Sequence, residues 1–178
     1  MDFSIPEIEL SNVKIKDIKD NKILNLNEII MSSPIFKFHN FAYLKKNNRD
    51  SSGIQNIDLY KIIKPVLNKF EAGRILFSEA ELEYYIYNST KNDTIKLNHI
   101  SGKITELKID STSQKNNKNL FMADDITISI SDFSKIISDS IYTFTCDEIG
   151  FSTKNSKIFL NNFEITPNYD KSIISSDF

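Results

Sequence analysis

Three glutamates stand at alternate positions in "FSEAELEYY": Glu79, Glu81 and Glu83. Carboxylates in a row suit a divalent cation or an acid–base pair. On an extended strand, however, alternate side chains share a face about 7 Å apart, too far for two of them to hold one ion easily. Ala80, Leu82, Tyr84 and Ile86 interleave as an apolar opposite face, so the trio reads as the solvated side of a strand. Asp124 and Asp125 form a second acidic pair. They occupy a polar slot that recurs with uncharged residues, which points to a backbone role at a bulge or bend rather than to a metal. His39 and His99 lack a recognisable nucleophile and an orienting partner nearby, so neither reads as a general base. "SGKIT" at 101–105 lacks the upstream glycine of a phosphate loop, which leaves Lys103 a surface lysine. The single cysteine, Cys146, excludes an internal disulfide, and with two histidines it leaves little for a zinc site. It reads as a small core residue. Asn88 and Asn92 stand in glycan-acceptor triplets that matter only on a eukaryotic secretory route. "KKNNR" at 45–49 reads as a solvated loop, with contact to lipid head groups as the second reading. No catalytic residue, cofactor or metal is expected.

The bulk properties agree. At 178 residues with 40% hydrophobic and 26% charged content, the chain suits one folded domain. Its 22 basic and 24 acidic residues nearly cancel, so no global field attracts nucleic acid or an anionic membrane. No run of 18 apolar residues offers a membrane span, and the N-terminus has no signal-peptide pattern. An envelope address or anchor, if used, would lie outside this chain.

What remains is a rhythm. "KIFLNNFEI" places apolar residues at i, i+2, i+5 and i+7: Ile158, Leu160, Phe163 and Ile165 around Asn161-Asn162. The spacing returns as Ile8, Leu10, Val13, Ile15 around Ser11-Asn12 and as Leu24, Leu26, Ile29, Met31 around Asn27-Glu28. Further copies are Phe121, Ala123, Ile126, Ile128 around Asp124-Asp125, and Phe144, Cys146, Ile149, Phe151 around Asp147-Glu148. A partial copy has Ile95, Leu97 and Ile100 around Asn98-His99, with Gly102 last. Strict alternation would turn the second pair of each copy to the opposite face, so a one-residue phase shift is expected in every polar slot.

These copies must sit on strands. Residues 7–18 and 22–44 read as extended, broken at "KDNK" and at Pro34, which belongs at an edge, bulge or bend. After the polar stretch 45–56 the period changes. Leu59, Ile62, Ile63, Val66, Leu67 and Phe70 follow helical spacing, with Asn56 or Asp58 as cap and Pro65 shortening or kinking the helix. Strands follow at 73–88, 94–110, 120–133, 141–153 and 157–166, joined by short polar turns such as "STKND", "SDS" and "KNSK". With four glycines and four prolines, turns should rely on Asn, Asp, Ser and Lys. The expected fold is mainly β: a long, twisted antiparallel meander, groove-like, with one short helix near 57–69. Both ends read as cut strands, so a single β-rich segment (1–178) of a longer protein is expected.

The stretch "IDLYKIIKPVLNKFEAGRILFSEAELEYY" (57–85) followed by "KLNHISGKITELKID" (96–110) resembles a block of the AsmA-like proteins, in the group with TamB that includes bridge-like lipid carriers built from repeating β-grooves. "DSIYTFTCDEIGFSTKNSKIFLNNFEITPNYD" (139–170) is similar to the close of such blocks in Bacteroidetes versions, with Phe163, Ile165, Pro167 and Tyr169 in the final phrase. The resemblance spans 57–170 as one repeat block, and 1–44 look like the end of a preceding one. It implies a taco-like sheet whose apolar side holds phospholipid acyl chains between inner and outer membranes. The protein would then sit in the periplasm or cell envelope, tethered by a segment absent here. Its partners would be flanking repeats of the same chain, with membrane contact only through other parts and no nucleic acid. It supplies no catalytic residues, only groove positions: Ile126, Ile128, Phe144, Ile149, Phe151, Ile158, Leu160, Phe163 and Ile165. The competing expectation is a structural or adhesive surface β-module whose apolar side is an ordinary closed core.

Overall fold

The computed structural model describes residues 2–41, 59–87, 92–112, 122–136 and 142–167. The stretch 45–56, residues 113–119, both helix-cap candidates, the turn at 138–140, Asn88, Phe121 and Tyr169 lie outside the described residues. The elements are β1 (Asp2–Ser4), β2 (Glu7–Ser11), α1 (Ile15–Asn21), β3 (Ile23–Ser32), β4 (Ile35–Phe41), α2 (Leu59–Ile63), β5 (Lys69–Tyr87), β6 (Asn92–Ile109), β7 (Asp125–Ile136), β8 (Tyr142–Ser152), β9 (Lys157–Asn161) and β10 (Glu164–Pro167). All ten strands join one sheet.

The expected meander holds from β5 onward, where β6, β7, β8 and the β9/β10 pair each add antiparallel. The other flank differs. β3 and β4 lie parallel to β5, β3 along Lys69–Ser78 and β4 along Glu81–Tyr87. A parallel neighbour cannot be reached by a hairpin, so the chain must cross back over the length of β5. Helix α2 lies in that connection. Pro65 stops α2 as expected, and its last carbonyl, that of Ile63, accepts from the Val66 and Leu67 amides. Phe70, counted above as the end of a helical stripe, instead opens β5.

The second helix is a correction. Residues 7–18 were expected to stay extended, but the chain leaves β2 at Asn12 (φ 61°) and forms α1, closed by Lys22 in the left-handed region (φ 55°) with its amide on the Ile18 carbonyl. Asp17 in the first turn and Lys19 in the last favour the helix dipole. Ile15 and Ile18, three apart, fit a helical spacing, whereas Val13 and Ile15, two apart, fit a strand, an ambiguity that short apolar runs carry.

The sheet is creased along two lines. The first passes Ser33 (φ 50°), Glu79 (52°), His99 (53°), Asp132 (54°) and Asn162 (51°). Register shifts on β5 and β6 lie between Phe77, Ala80 and Leu82, while β3 gives way to β4 at Ser33-Pro34 and β9 to β10 at Asn162-Phe163. The second line crosses Asn27, Gly73 and Glu106 (φ 51°), residues skipped together in the ladders. Among the described residues no glycine takes a positive φ. Gly73 is required for a different reason: a Cβ there would lie 3.0 Å from the Asn27 carbonyl oxygen. Most of the left-handed positions carry Asn, Asp, Ser, Lys or His, in line with the glycine-poor composition.

Candidate apolar binding face

Residues paired directly across neighbouring strands point to the same face. Following the ladders therefore traces one apolar surface. Ile8 and Leu10 oppose Met31 and Ile29; those lie beside Phe77 and Ile75, which oppose Gly102 and Ile104. Ile104 pairs with Ile126, Gly102 with Ile128 and Ile100 with Ile130. Ile128 and Ile130 meet Phe151 and Ile149, which in turn meet Ile158 and Leu160. Seven strands thus contribute to one unbroken apolar band.

The creases bring the flanking pairs onto that same side. Leu26 and Ile29, three residues apart on β3, pack with Ala72 and Ile75, three apart on β5, in one buried cluster. Plain alternation would have separated each pair. The left-handed residues and bulges supply the expected phase shift at Asn27-Glu28, Asn98-His99, Asp147-Glu148 and Asn161-Asn162. The Ser11-Asn12 and Asp124-Asp125 slots differ: β2 ends at the first and gives way to α1, and β7 begins at the second. At the far edge Phe163 stacks on Phe144, ring centroids 5.8 Å apart, and Ile165 pairs with Phe144, beyond Asn162. The shift is held by polar contacts. Asn162 Nδ2 donates to Asp147 Oδ2 at 2.6 Å, Asn161 Nδ2 donates to Glu148 Oε2 at 2.9 Å, and the buried Cys146 thiol donates to the Asn161 and Glu148 carbonyls.

The band is buried beside β3 and β5 and open toward both outer strands, with Ile8 50% and Leu10 43% exposed on β2. Leu26 is 2% exposed and Ala72 1%, whereas Phe151 is 38%, Leu160 52%, Ile165 52% and Ile158 73% exposed. Among the nine candidate positions Ile126, Phe144 and Ile149 are half-buried and the other six are exposed. Covering an exposed aliphatic or aromatic side chain completely is worth about 1.5–3 kcal/mol, so the open part from β7 to β9 holds several kcal/mol for whatever lies on it. Beyond the first crease β6 and β7 no longer pair, and a hollow of about 440 Å³ opens between them, lined by Ile95, Leu97, His99, Ile130, Asp132 and Phe133 among others.

The opposite face is polar and ion-paired. Glu83 lies between Lys37 (3.0 Å) and Lys96 (3.5 Å), Lys96 also reaches Glu81 (3.2 Å), and Arg74 holds Glu28 (2.6 Å). The hydroxyl of Tyr85 donates to Glu83, and together with Lys37 it holds that carboxyl down to about 2. Glu79 stands apart on the crease, bonded to His99 Nδ1 at 2.8 Å, which raises the His99 pKa. The three glutamates are thus split between two partner sets. No cluster of potential metal ligands occurs among the described residues.

Two residues have roles that their immediate neighbours in sequence do not suggest. Asp125 closes the β8–β9 hairpin: its carboxylate accepts from the Lys154 amide (3.0 Å), Thr153 Oγ1 (3.1 Å), Ser152 Oγ (3.2 Å) and Thr127 Oγ1 (3.1 Å). The Lys154 amide is the largest of the influences lowering its pKa. His39, expected to lack an orienting partner, has two. Asp2 lies at 3.2 Å from Nε2 and the Tyr87 hydroxyl at 3.1 Å from Nδ1, with the Tyr85 ring stacked at 4.9 Å. The polar slots the sequence missed were findable. Ile75, Phe77, Ala80, Leu82 around Ser78-Glu79 repeats the spacing, as does Gly102, Ile104, Leu107, Ile109 around Thr105-Glu106, which shares Gly102 with the partial copy.

No protein-family model matches the chain, and neither a curated protein nor a solved structure matches it.

Proposed function

We propose that this chain is a non-enzymatic β-groove segment whose open apolar band takes up phospholipid acyl chains in a cell envelope, as the resemblance to AsmA-like proteins implies. One observation carries the reading: the band runs without interruption from Leu10/Ile8 to Leu160/Ile158, yet it is buried only beside β3 and β5, and both of its ends are exposed. A closed-core module would bury both ends. A linear hydrocarbon fits a surface that is continuous along one direction and carries no polar group to orient a head group within it. Phe151 and Ile128, exposed and away from the sheet edge, are the positions where an acyl chain would rest.

The test is saturable binding of a fluorescent long-chain fatty acid to the purified protein, with native mass spectrometry for phospholipids retained from the cell. Phe151→Glu and Ile128→Glu place a charge on the band and should each weaken binding at least tenfold. Lys103→Glu, on the opposite face, should leave it within twofold. Equal binding by all three variants, or no saturable binding by the wild type, would overturn the reading.

A further inference from the structure

We infer that the two outer edges of this sheet are complementary to each other, so that a second copy of the chain adds head to tail, β9 of one copy beside β2 of the next.

The backbone phase is fixed at both edges. The Ser33 amide donates to the Ser78 carbonyl, so Met31 and Ser33 turn toward β5 while Ile30 and Ser32 turn toward β2. Their partners Glu9 and Glu7 face inward, which leaves the amide and carbonyl groups of Ile8 and Leu10 directed away from the sheet. At the other edge the Thr153 amide donates to the Ile126 carbonyl, so Ile149 and Phe151 turn toward β7, and Gly150 and Ser152 toward β9. Phe159 and Lys157 face inward in turn, and Ile158 and Leu160 present their backbone groups outward. Each edge therefore offers two free donor–acceptor residues two apart, and on both edges these are the residues of the apolar band.

One antiparallel register satisfies everything at once. Ile158 opposite Leu10 and Leu160 opposite Ile8 makes two hydrogen-bonded pairs and joins the apolar bands of the two copies. The same register sets Asn161 opposite Glu7 and places Asn162, the crease of one edge, against Pro6, where β2 gives way to β1. The two edges thus bend at the same step. Shifting by two residues keeps the phase but sets a crease against a straight strand. The polar faces are complementary as well: Glu7 and Glu9 on β2 meet an edge carrying Lys157, which lies diagonal to Glu9 in this register. Among the described residues neither β2 nor β9 has a neighbour on its outer side. Because the two edges differ, addition is heterologous and extends as an open series rather than closing as a two-fold dimer.

The experiment uses variants of the whole chain with one introduced cysteine each, beside the native buried Cys146. Glu7 and Asn161 would form a non-hydrogen-bonded pair, with Cα atoms about 4.5 Å apart, within disulfide range. Glu7→Cys mixed with Asn161→Cys under mild oxidation should give a cross-linked dimer as the main product. Each variant alone, the wild type with its buried Cys146, and Glu9→Cys mixed with Asn161→Cys should give at least tenfold less. Sedimentation of the wild type should show mass rising with concentration. Leu160→Pro, which removes only an outward amide, should abolish that rise while leaving the circular dichroism spectrum unchanged; Ile158→Lys is the second blocking variant should the proline disturb β9. A wild type that stays monomeric across a hundredfold concentration range, or cross-linking equal in matched and mismatched mixtures, would overturn the inference.

Discussion

Asn162 sits at φ 51° between β9 and β10, a region that costs most L-residues about 1–2 kcal/mol and Asn less. Asn162→Gly keeps the left-handed backbone and loses only the bond to Asp147, so it should cost less than Asn162→Val, which loses the same bond and adds about 1–2 kcal/mol of backbone strain in denaturant unfolding and should shift the near-ultraviolet signal of the Phe144–Phe163 stack. Glu83 makes a different prediction. Its carboxyl is held down to about 2 from an ordinary 4.5, by the Tyr85 hydroxyl and then Lys37. A depressed carboxyl stabilises the fold fully above its unfolded pKa and loses that contribution as pH falls through the folded one, so the loss falls between about pH 4.5 and 2. Subtracting the pH–stability profile of Glu83→Gln from that of the wild type should isolate this slope; a flat difference would remove the assigned role. The polar slot at Asn161-Asn162 was legible because its apolar flanks lie within nine residues. The partners of Glu83 and Asp125 were not, because Lys37 and Lys154 are brought to them by pairing between distant strands, which no local pattern encodes.

At the scale of strands, two glycines are covered by aromatic rings from the neighbouring strand. Phe77 lies over Gly102 and Phe159 over Gly150; an added Cβ would come within 2.1 Å and 1.8 Å of the respective ring atoms. The rings shield backbone that glycine leaves bare, and each glycine admits the ring. Gly150→Ala should cost about 1–3 kcal/mol by overpacking, and the loss should shrink when combined with Phe159→Leu, a non-additivity measurable in a double-mutant cycle. Additive losses would mean that the pair does not interact. The strands themselves were readable from alternation, and Pro34 and Pro65 marked breaks correctly. The parallel placement of β3 and β4 was hidden, since it depends on the connection between β4 and β5, whose direction no local pattern encodes. Helix α1 was hidden for another reason: Val13 and Ile15 continue a strand spacing while Ile15 and Ile18 begin a helical one, and the charges that favour the helix dipole decide only weakly between them.

Across the whole sheet, stability and exposure run in opposite directions. The buried cluster of Leu26, Ile29, Ala72 and Ile75 sits where β3 and β5 lie side by side, while β9 and β10 hold to β8 through short ladders with little covering them. Leu26→Ala should therefore cost about 2–5 kcal/mol, the range for a buried leucine, and Ile158→Ala, at 73% exposure, within about 0.5 kcal/mol. The same gradient should appear in hydrogen exchange, with amides of β8 to β10 opening well below the global unfolding free energy and those of β3, β5 and β6 close to it. Whatever covers the exposed outer strands must then shift that balance. A bound acyl chain along Ile128 and Phe151 contributes only to states in which β7 and β8 are formed, so it should slow exchange there and leave β2 and β3 unchanged. A second copy differs in where protection begins: it protects the outward amides of Ile158 and Leu160 on one edge and of Ile8 and Leu10 on the other, and only as protein concentration rises, whereas an acyl chain protects β7 and β8 at any protein concentration.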